Sequence, residues 1–414
     1  MRSRAVQDAE RLMTAFAART GVRGGGDPVC RYLWTDAYGV LAMLALHRAT
    51  GVDAYRDDAV RLAQLVHEVL GRHREGDARA GWISGLSEDE GMRRPTAGGL
   101  RIGKPLRERA ADEPLDEQLE WERDGQYFHY LTKWMQALAQ LGLATGDPAW
   151  IEHAVTLAHV AVRGFVHTPR LGAPQRMHWK MSVDLTRPLV ASMGQHDPLD
   201  GLATILFVRA ARHRLSPQPA ALDTEIEILR AICARHASWS TTDPLGIGGL
   251  LADAAMLIEL VGQRDIAFES LLHTILSDAH RGLDFALDGG SGARMLSQPT
   301  EVRLAFRELG LCMGLRAIGP MQAAMVAHPD RFLPDASAAA LRVRLDAMQR
   351  AVPVADRIEA TWLDPATRET RGWVEHRDIN DVMLASSLLA GEAPLVGLGS
   401  VQGSHGRPRE GPDA

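Results

Sequence analysis

The feature that most constrains this chain is a corner it uses twice. ATGVDAYRDDAVRLA from Ala49 aligns with ATGDPAWIEHAVTLA from Ala144, sharing Ala, Thr, Gly, an aromatic residue and the Ala-Val and Leu-Ala pairs that follow. Each copy closes one apolar helical run and opens another within a few residues, so each is the turn of a helical hairpin, and its recurrence implies a duplicated hairpin. A third, weaker copy is GQRDIAFESLLHTIL from Gly262. Elsewhere apolar residues recur three and four apart and strand signals are scarce, which makes the chain all-α. Twelve helical segments are predicted, starting near Ala5, Tyr32, Tyr55, Gln126, Ala149, Pro198, Ala220, Gly246, Asp265, Glu301, Ser337 and Asp378, and in pairs they make six hairpins.

The connections are of two kinds. Those into the Tyr55, Ala149, Ala220 and Asp265 helices are short, built on Thr50-Gly51, Thr145-Gly146, Ser216-Pro217 and Gly262. Those into the Gln126, Pro198, Glu301 and Asp378 helices are long, the longest running from about Arg74 to Arg123. Long loops in a compact domain are usually functional or disordered. If the hairpins close into a ring, these loops gather on one face with the N-termini of the inner helices at Tyr32, Gln126, Pro198, Gly246, Glu301 and Asp378. LATILFVRAA, GGLLADAAMLIELV and DVMLASSLLA are apolar enough for that inner layer. The expected fold is an (α/α)6 toroid in one domain over residues 1–398, with a disordered tail, GSVQGSHGRPREGPDA, over 399–414.

The 414 residues are 46% hydrophobic, enough to bury a large core. A net charge of −6 with no Lys/Arg run among aromatics points away from nucleic acid. The start, MRSRAVQDAERLMTAFAART, is charged and amphipathic, and no stretch of about 18 uncharged apolar residues occurs, so no membrane partner and a cytoplasmic location are expected. Cys30, Cys233 and Cys312 are scattered and odd in number, so they are expected to be buried thiols rather than disulfides or metal ligands. No metal or cofactor is expected, and the oligomeric state is left open.

In helix count, loop asymmetry and the Thr-Gly-x-x-(Tyr/Trp) turn, the chain over about residues 5–391 resembles the six-hairpin, or α/α toroid, glycosidase-like group, which includes glycoside hydrolases and sugar epimerases. The resemblance implies a saccharide cavity at the inner-helix N-termini. Within the group, Trp-x-Asp at Trp34–Asp36 and Asp-Gly-x-Tyr at Asp124–Tyr127 are similar to the elements that bear the two essential aspartates of the unsaturated-uronyl hydrolases. By that resemblance Asp124 is the catalytic acid or base and Asp36 supports it. The zinc set of lanthionine-type cyclases is not matched by the three cysteines. The Asn380-Asp381 pair resembles terpene-cyclase metal motifs only superficially, since position 384 is Leu.

The residues make a separate case. Glycosyl transfer uses one protonated and one ionised carboxyl, and Trp34, Trp121 and Tyr127 could raise one pKa while a helix N-terminus lowers another. Helix capping or a buried hydrogen bond is the alternative account of each aspartate, stronger for Asp36 than for Asp124. Tyr127, His129, Tyr130, Lys133 and Trp134 crowd one helical face, where Leu and Ala are ordinary, and Trp179 offers a stacking platform. Arg303 and Arg307, four apart, would share a face and, with Lys133, His196 and His376, suit an acidic sugar unless paired with acids such as Glu301 or Glu308. In GQHDPLDG, Asp197-Pro198 looks like the helix start at Asp147-Pro148 and again at Asp243-Pro244, which explains Asp197 as a cap and leaves His196 and Asp200 as substrate contacts. Asp378 joins them from EHRDIND.

The expected function is a hydrolase of a short saccharide, with uronate-containing ones among the candidates. The alternatives are an epimerase or isomerase using His129, His196 and His376, and a non-enzymatic saccharide-binding protein.

Overall fold

The computed structural model describes residues 2–24, 30–216, 221–260, 266–287, 297–332 and 336–398. Six helices form an inner ring: Leu33–Thr50, Phe128–Thr145, Asp197–Leu215, Pro244–Leu260, Ala305–Arg316 and Arg377–Ala390. Each packs on the next in chain order and the sixth packs on the first, so the ring is closed. The inner helices start near the six expected positions, the fifth at Ala305 after a short 3-10 turn, Thr300–Val302. They are buried on nearly all sides, as the first shows from Leu33 to Leu46. Arg4–Arg19, Asp53–Leu70, Pro148–Phe165, Asp223–Cys233 and Ile266–Leu287 form most of the outer layer, where only an apolar stripe is buried.

The repeated corner has a shared physical basis. Gly51 and Gly146 end their helices at φ 69° and 72°, a left-handed conformation that glycine adopts without a Cβ penalty. The threonine before each donates back to the helix, Thr50 to Leu46 O at 2.7 Å and Thr145 to Leu141 O at 2.8 Å. The same hydroxyls accept from the N–H of Val52 and Asp147 at 3.2 and 3.3 Å, turning the chain at once into the outer helix.

Three expectations change. The single outer helix starting near Ser337 is instead Ala336–Gln349 followed by Val352–Leu363, with Ile318–Ala327 added before them. Pro353, in the first turn of Val352–Leu363, has no N–H to continue a preceding helix, so the break falls there. The long loops carry small sheets: Gln126–Tyr127, Lys180–Met181 and Pro188–Val190 form three antiparallel strands, and Val166–His167 pairs with Arg176–Met177. Cys233 and Cys312 are buried, but Cys30 is exposed, because it lies in the loop before the first inner helix. The turn at Ser216-Pro217, the helix starts near Ala220 and Asp265, the start of the third corner copy at Gly262 and the 399–414 tail lie outside the described residues. Ala305–Ala327 is long and apolar enough by composition to cross a membrane; here half of it is buried in the ring and it carries Arg307, Glu308 and Arg316.

Along the ring axis lies a cavity of about 810 Å³. Trp34 and Lys133 line one end, near the inner N-termini, and Arg48, Arg316 and the segment 393–398 line the other.

Candidate active site at the inner-helix N-termini

The second long loop returns through Lys180–Met181, which pairs antiparallel with Gln126–Tyr127, and this holds Trp179 beside the start of the second inner helix. The ring centroids of Tyr127 and Trp179 are 5.2 Å apart, and His129 stacks on Tyr127 at 5.2 Å and on Trp179 at 6.3 Å. Trp34, from the first inner helix, closes the group at 5.3 Å from Tyr130 and 6.1 Å from His129. The hydroxyls of Tyr130 and Tyr32 lie 2.6 Å apart. Trp121 stands edge-on to Trp179 at 5.0 Å and is half exposed. The mouth of the ring is therefore a cluster of polar aromatics, several of them buried, with Trp34 Nε1 and His129 Nδ1 unpartnered among the described residues. Trp134 does not belong to it: fully buried, it donates to His67 Nε2 at 3.2 Å on the outer side of its helix.

The three Asp-Pro sites differ. Asp147, at an outer helix, accepts from the N–H of Ala149 at 2.9 Å and is an ordinary cap. At the third inner helix the cap position falls to His196, whose side chain makes no capping bond, and Asp197 is already inside the helix. Its carboxylate turns across the mouth, with Oδ1 3.5 Å from His129 Nδ1. Asp197 Oδ2 and His129 Nδ1 have no hydrogen-bond partner among the described residues. Gly194 makes room, since a Cβ there would stand 2.6 Å from that carboxylate. Asp243 faces Arg307 Nη1 at 3.1 Å. The reading of Asp197 as only a cap is thus corrected.

Asp124 and Asp36 are both buried but differently engaged. Asp124 Oδ2 accepts from Arg101 Nη1 at 2.5 Å, and Oδ1 accepts from the N–H of Gly103, Gly125 and Lys104 at 3.0, 3.1 and 3.4 Å. Arg101 also donates to the carbonyls of Arg72 and Val69, so this carboxylate clasps the longest loop to the second inner helix. With both oxygens taken, the geometry assigns Asp124 to holding the loop. Asp36 Oδ1 lies 3.7 Å from Arg31 Nη1 in a buried pocket. Burial pushes its pKa up to about 6 against the opposing pull of Arg31. Trp34, Tyr38 and Leu41 line the central cavity, and Asp36, about 200° round the helix from Trp34, does not share that face.

The remaining candidates divide by depth. Lys133 and Asp200 meet within the bore, Nζ to Oδ1 at 2.6 Å, with Thr132 donating to Oδ2 at 2.5 Å. Burial works to lower the Lys133 pKa, and Asp200, Tyr38 and Asp253 more than offset it, so the ammonium is kept charged. Asp253 is pushed well up by burial and by Asp200 beside it. Arg303 does not share a face with Arg307, because it precedes the helix that begins at Ala305. It is buried and bidentate to Glu308 at 2.8 and 2.7 Å, and Trp362 donates to the same carboxylate at 2.9 Å. His196 is 2.8 Å from Trp239 O and burial lowers its pKa, so it is neutral and turned from the mouth. His376 is exposed beside Phe306 at 6.3 Å. Asp378 accepts from Arg19 Nε at 2.7 Å, on the outer helix. Lys133, Arg303 and Arg307 each hold a carboxylate of the chain itself, which removes the charges that suggested an acidic sugar.

No protein-family model and no curated protein matches the chain. Among solved structures it is similar to a D-mannose isomerase, at 12% identity over 85% of this chain and 87% of that one, with a TM-score of 0.44. It is similar to a family 76 glycoside hydrolase from a bovine Bacteroides thetaiotaomicron strain, at 12% identity over 94% of this chain and 76% of that one, TM-score 0.49. It is also similar to an unsaturated glucuronyl hydrolase from Bacillus sp. GL1, at 16% identity over 70% and 85% of the two chains, TM-score 0.32.

Tyr127, His129 and Tyr130 stood out in the sequence as a local anomaly together with Lys133 and Trp134, Trp34 and Trp179 were singled out separately, and three partners were missed. Tyr32 was signalled only by its place in RYLW, Asp253 by being the lone acid before Glu259 in an apolar helix, and Asp197 was hidden by its resemblance to a cap. The arrangement can stack the C–H face of a sugar on Trp179 or Trp34, offer the Tyr32 and Tyr130 hydroxyls to its oxygens, and move a proton through His129.

Proposed function

We propose that the chain is a carbohydrate-active enzyme that seats a short saccharide among the mouth aromatics, with His129 as acid/base and Asp197 behind it. The observation that carries this is the pairing of His129 with Asp197 at 3.5 Å inside an aromatic cluster, with an unpartnered oxygen on the acid. Glycoside hydrolysis is the first reading. The imidazolium of His129, with Asp197 behind it, gives its proton to the leaving glycosidic oxygen, and the neutral imidazole left then takes the proton from the water that adds to the anomeric carbon. A second reading, isomerisation or epimerisation, is favoured by the imidazole itself. An imidazole could take a proton from the carbon beside a carbonyl and return it.

The test is a panel of neutral disaccharides and free aldoses, scored both for new reducing ends and for deuterium taken up from solvent. Hydrolysis predicts reducing ends without deuterium at carbon, and isomerisation predicts the reverse. Either activity should fall at least about 100-fold in His129→Gln. Turnover within about tenfold of wild type in that variant overturns the assignment.

A further inference from the structure

The cavity below the mouth has a composition that a saccharide does not explain. At its upper end the polar groups are engaged with one another: Lys133 with Asp200, and Gln136 donating to Thr204 at 2.7 Å. Below them the wall is Leu41, Leu143, Leu245, Met256, Met313 and Met321. A sugar carried into that zone would strip its hydroxyls of water against mostly apolar side chains, the polar ones, such as Gln140, Arg48 and Glu259, lying towards the far end, at a cost for each unpaired hydroxyl. The zone is long, since Trp34 and Arg48 on the first inner helix are 14 residues apart, about 21 Å at 1.5 Å each. The segment 393–398 crosses its far end. Gln140 donates to Gly397 O at 2.7 Å, Arg48 to Pro394 O at 3.1 Å, and Leu398 N–H to Glu259 Oε1 at 2.7 Å. Trp34 belongs both to the mouth and to the cavity lining, so the two share one indole as a wall.

We infer that the substrate is a glycoside with a linear apolar aglycone, the sugar at the mouth aromatics and the alkyl chain in the bore. This rests on the proposed saccharide site and adds the class of group attached to it. The three methionines suit a flexible chain, because their unbranched thioethers adapt to its shape. Gly249 provides the handle for a test: it lines the bore, and a Cβ there meets nothing within 4 Å. A leucine at this position would project into the cavity, and Ala252, one turn further on, also lines it.

The experiment is titration calorimetry of the whole chain with methyl glucoside, octyl glucoside below its micelle concentration, and 1-octanol. Full burial is worth about fourfold in affinity per methylene, so over the seven added methylenes octyl glucoside should bind at least about 100-fold tighter than methyl glucoside. Gly249→Leu and Ala252→Leu should each remove most of that gain while leaving methyl glucoside binding and the melting temperature unchanged. Octyl and methyl glucosides binding within threefold of each other, or octyl glucoside unaffected by both variants, overturns the inference and leaves the saccharide site standing. If 1-octanol binds as tightly as octyl glucoside and both are lost in Gly249→Leu, the bore is apolar but no sugar is recognised, and it is the saccharide reading that fails.

Discussion

Asp147-Pro148 and Asp197-Pro198 are the same dipeptide at the start of two long helices, and they do different things. On the outer helix the aspartate precedes the first helical residue and its oxygen satisfies a free N–H. At the mouth the helix begins one residue earlier, with His196 at the cap, and the carboxylate is carried round to face His129. A shift of one residue in the helix start thus converts a structural acid into one aimed at the site. The largest effect expected from breaking this contrast is in Asp197→Asn. It should lower kcat/KM by about 10²–10⁴-fold, because the imidazole loses the charge that orients it. Asp147→Asn should leave kcat/KM unchanged. A kcat/KM within about tenfold of wild type for Asp197→Asn would show that the two sites are equivalent after all.

Asp124 sharpens the same contrast between acids that hold and acids that act. Four donors surround it, one of them a buried guanidinium. Asp124→Asn leaves Arg101 without its anion, and the expected result is a loss of about 3–5 kcal/mol in denaturant unfolding. Activity per folded molecule should stay within about tenfold of wild type. A variant as stable as wild type but inactive would return Asp124 to the catalytic role that its Asp-Gly-x-Tyr setting suggests.

Much of this was legible in the sequence because it depends on local chemistry. The Thr-Gly corner carries its own φ requirement and hydroxyl bonds, so two copies reveal a hairpin, and helix periodicity then yields the inner ring. The aromatic run from Tyr127 to Tyr130 stands out against core patterning. What was not legible depends on partners distant in sequence. Arg101 and Asp124 are joined by a loop without periodicity, Arg303 and Glu308 pair because a 3-10 turn delays the helix, and the His129–Asp197 pair needs two inner helices side by side. A cap motif specifies which donors are near an aspartate in sequence and is silent about a histidine brought up by the fold.

Asp36 extends the comparison to charge. Its carboxyl is pushed from 3.8 to about 6 by burial, so the folded state holds the proton where the unfolded chain releases it. The stabilisation from the neutral form is therefore complete below about pH 4 and is lost as pH rises towards 6. Asp36→Asn mimics the protonated acid. The expected outcome is no difference near pH 4 and a gain over wild type that grows to at most about 3 kcal/mol above pH 6.5, from 2.2 units at 1.36 kcal/mol each. Chemical unfolding at a series of pH values measures it, and an equal loss at every pH would mean that the Arg31 contact outweighs burial.

The smallest effect belongs to the outer cap. Asp147 is exposed, so its charge is screened by solvent, and only its hydrogen bond to the Ala149 N–H and its position at the positive end of the helix contribute. Asp147→Ala should cost about 1 kcal/mol, with catalysis untouched. Asp147→Ser, which keeps an acceptor without the charge, should recover most of that. The paired change Asp197→Ser should recover none of the lost activity, because a hydroxyl can cap a helix but cannot supply a negative charge to His129. If serine rescued both positions alike, hydrogen bonding alone would account for the mouth as it does for the outer corner, and the ionic pairing at 3.5 Å would carry no chemistry.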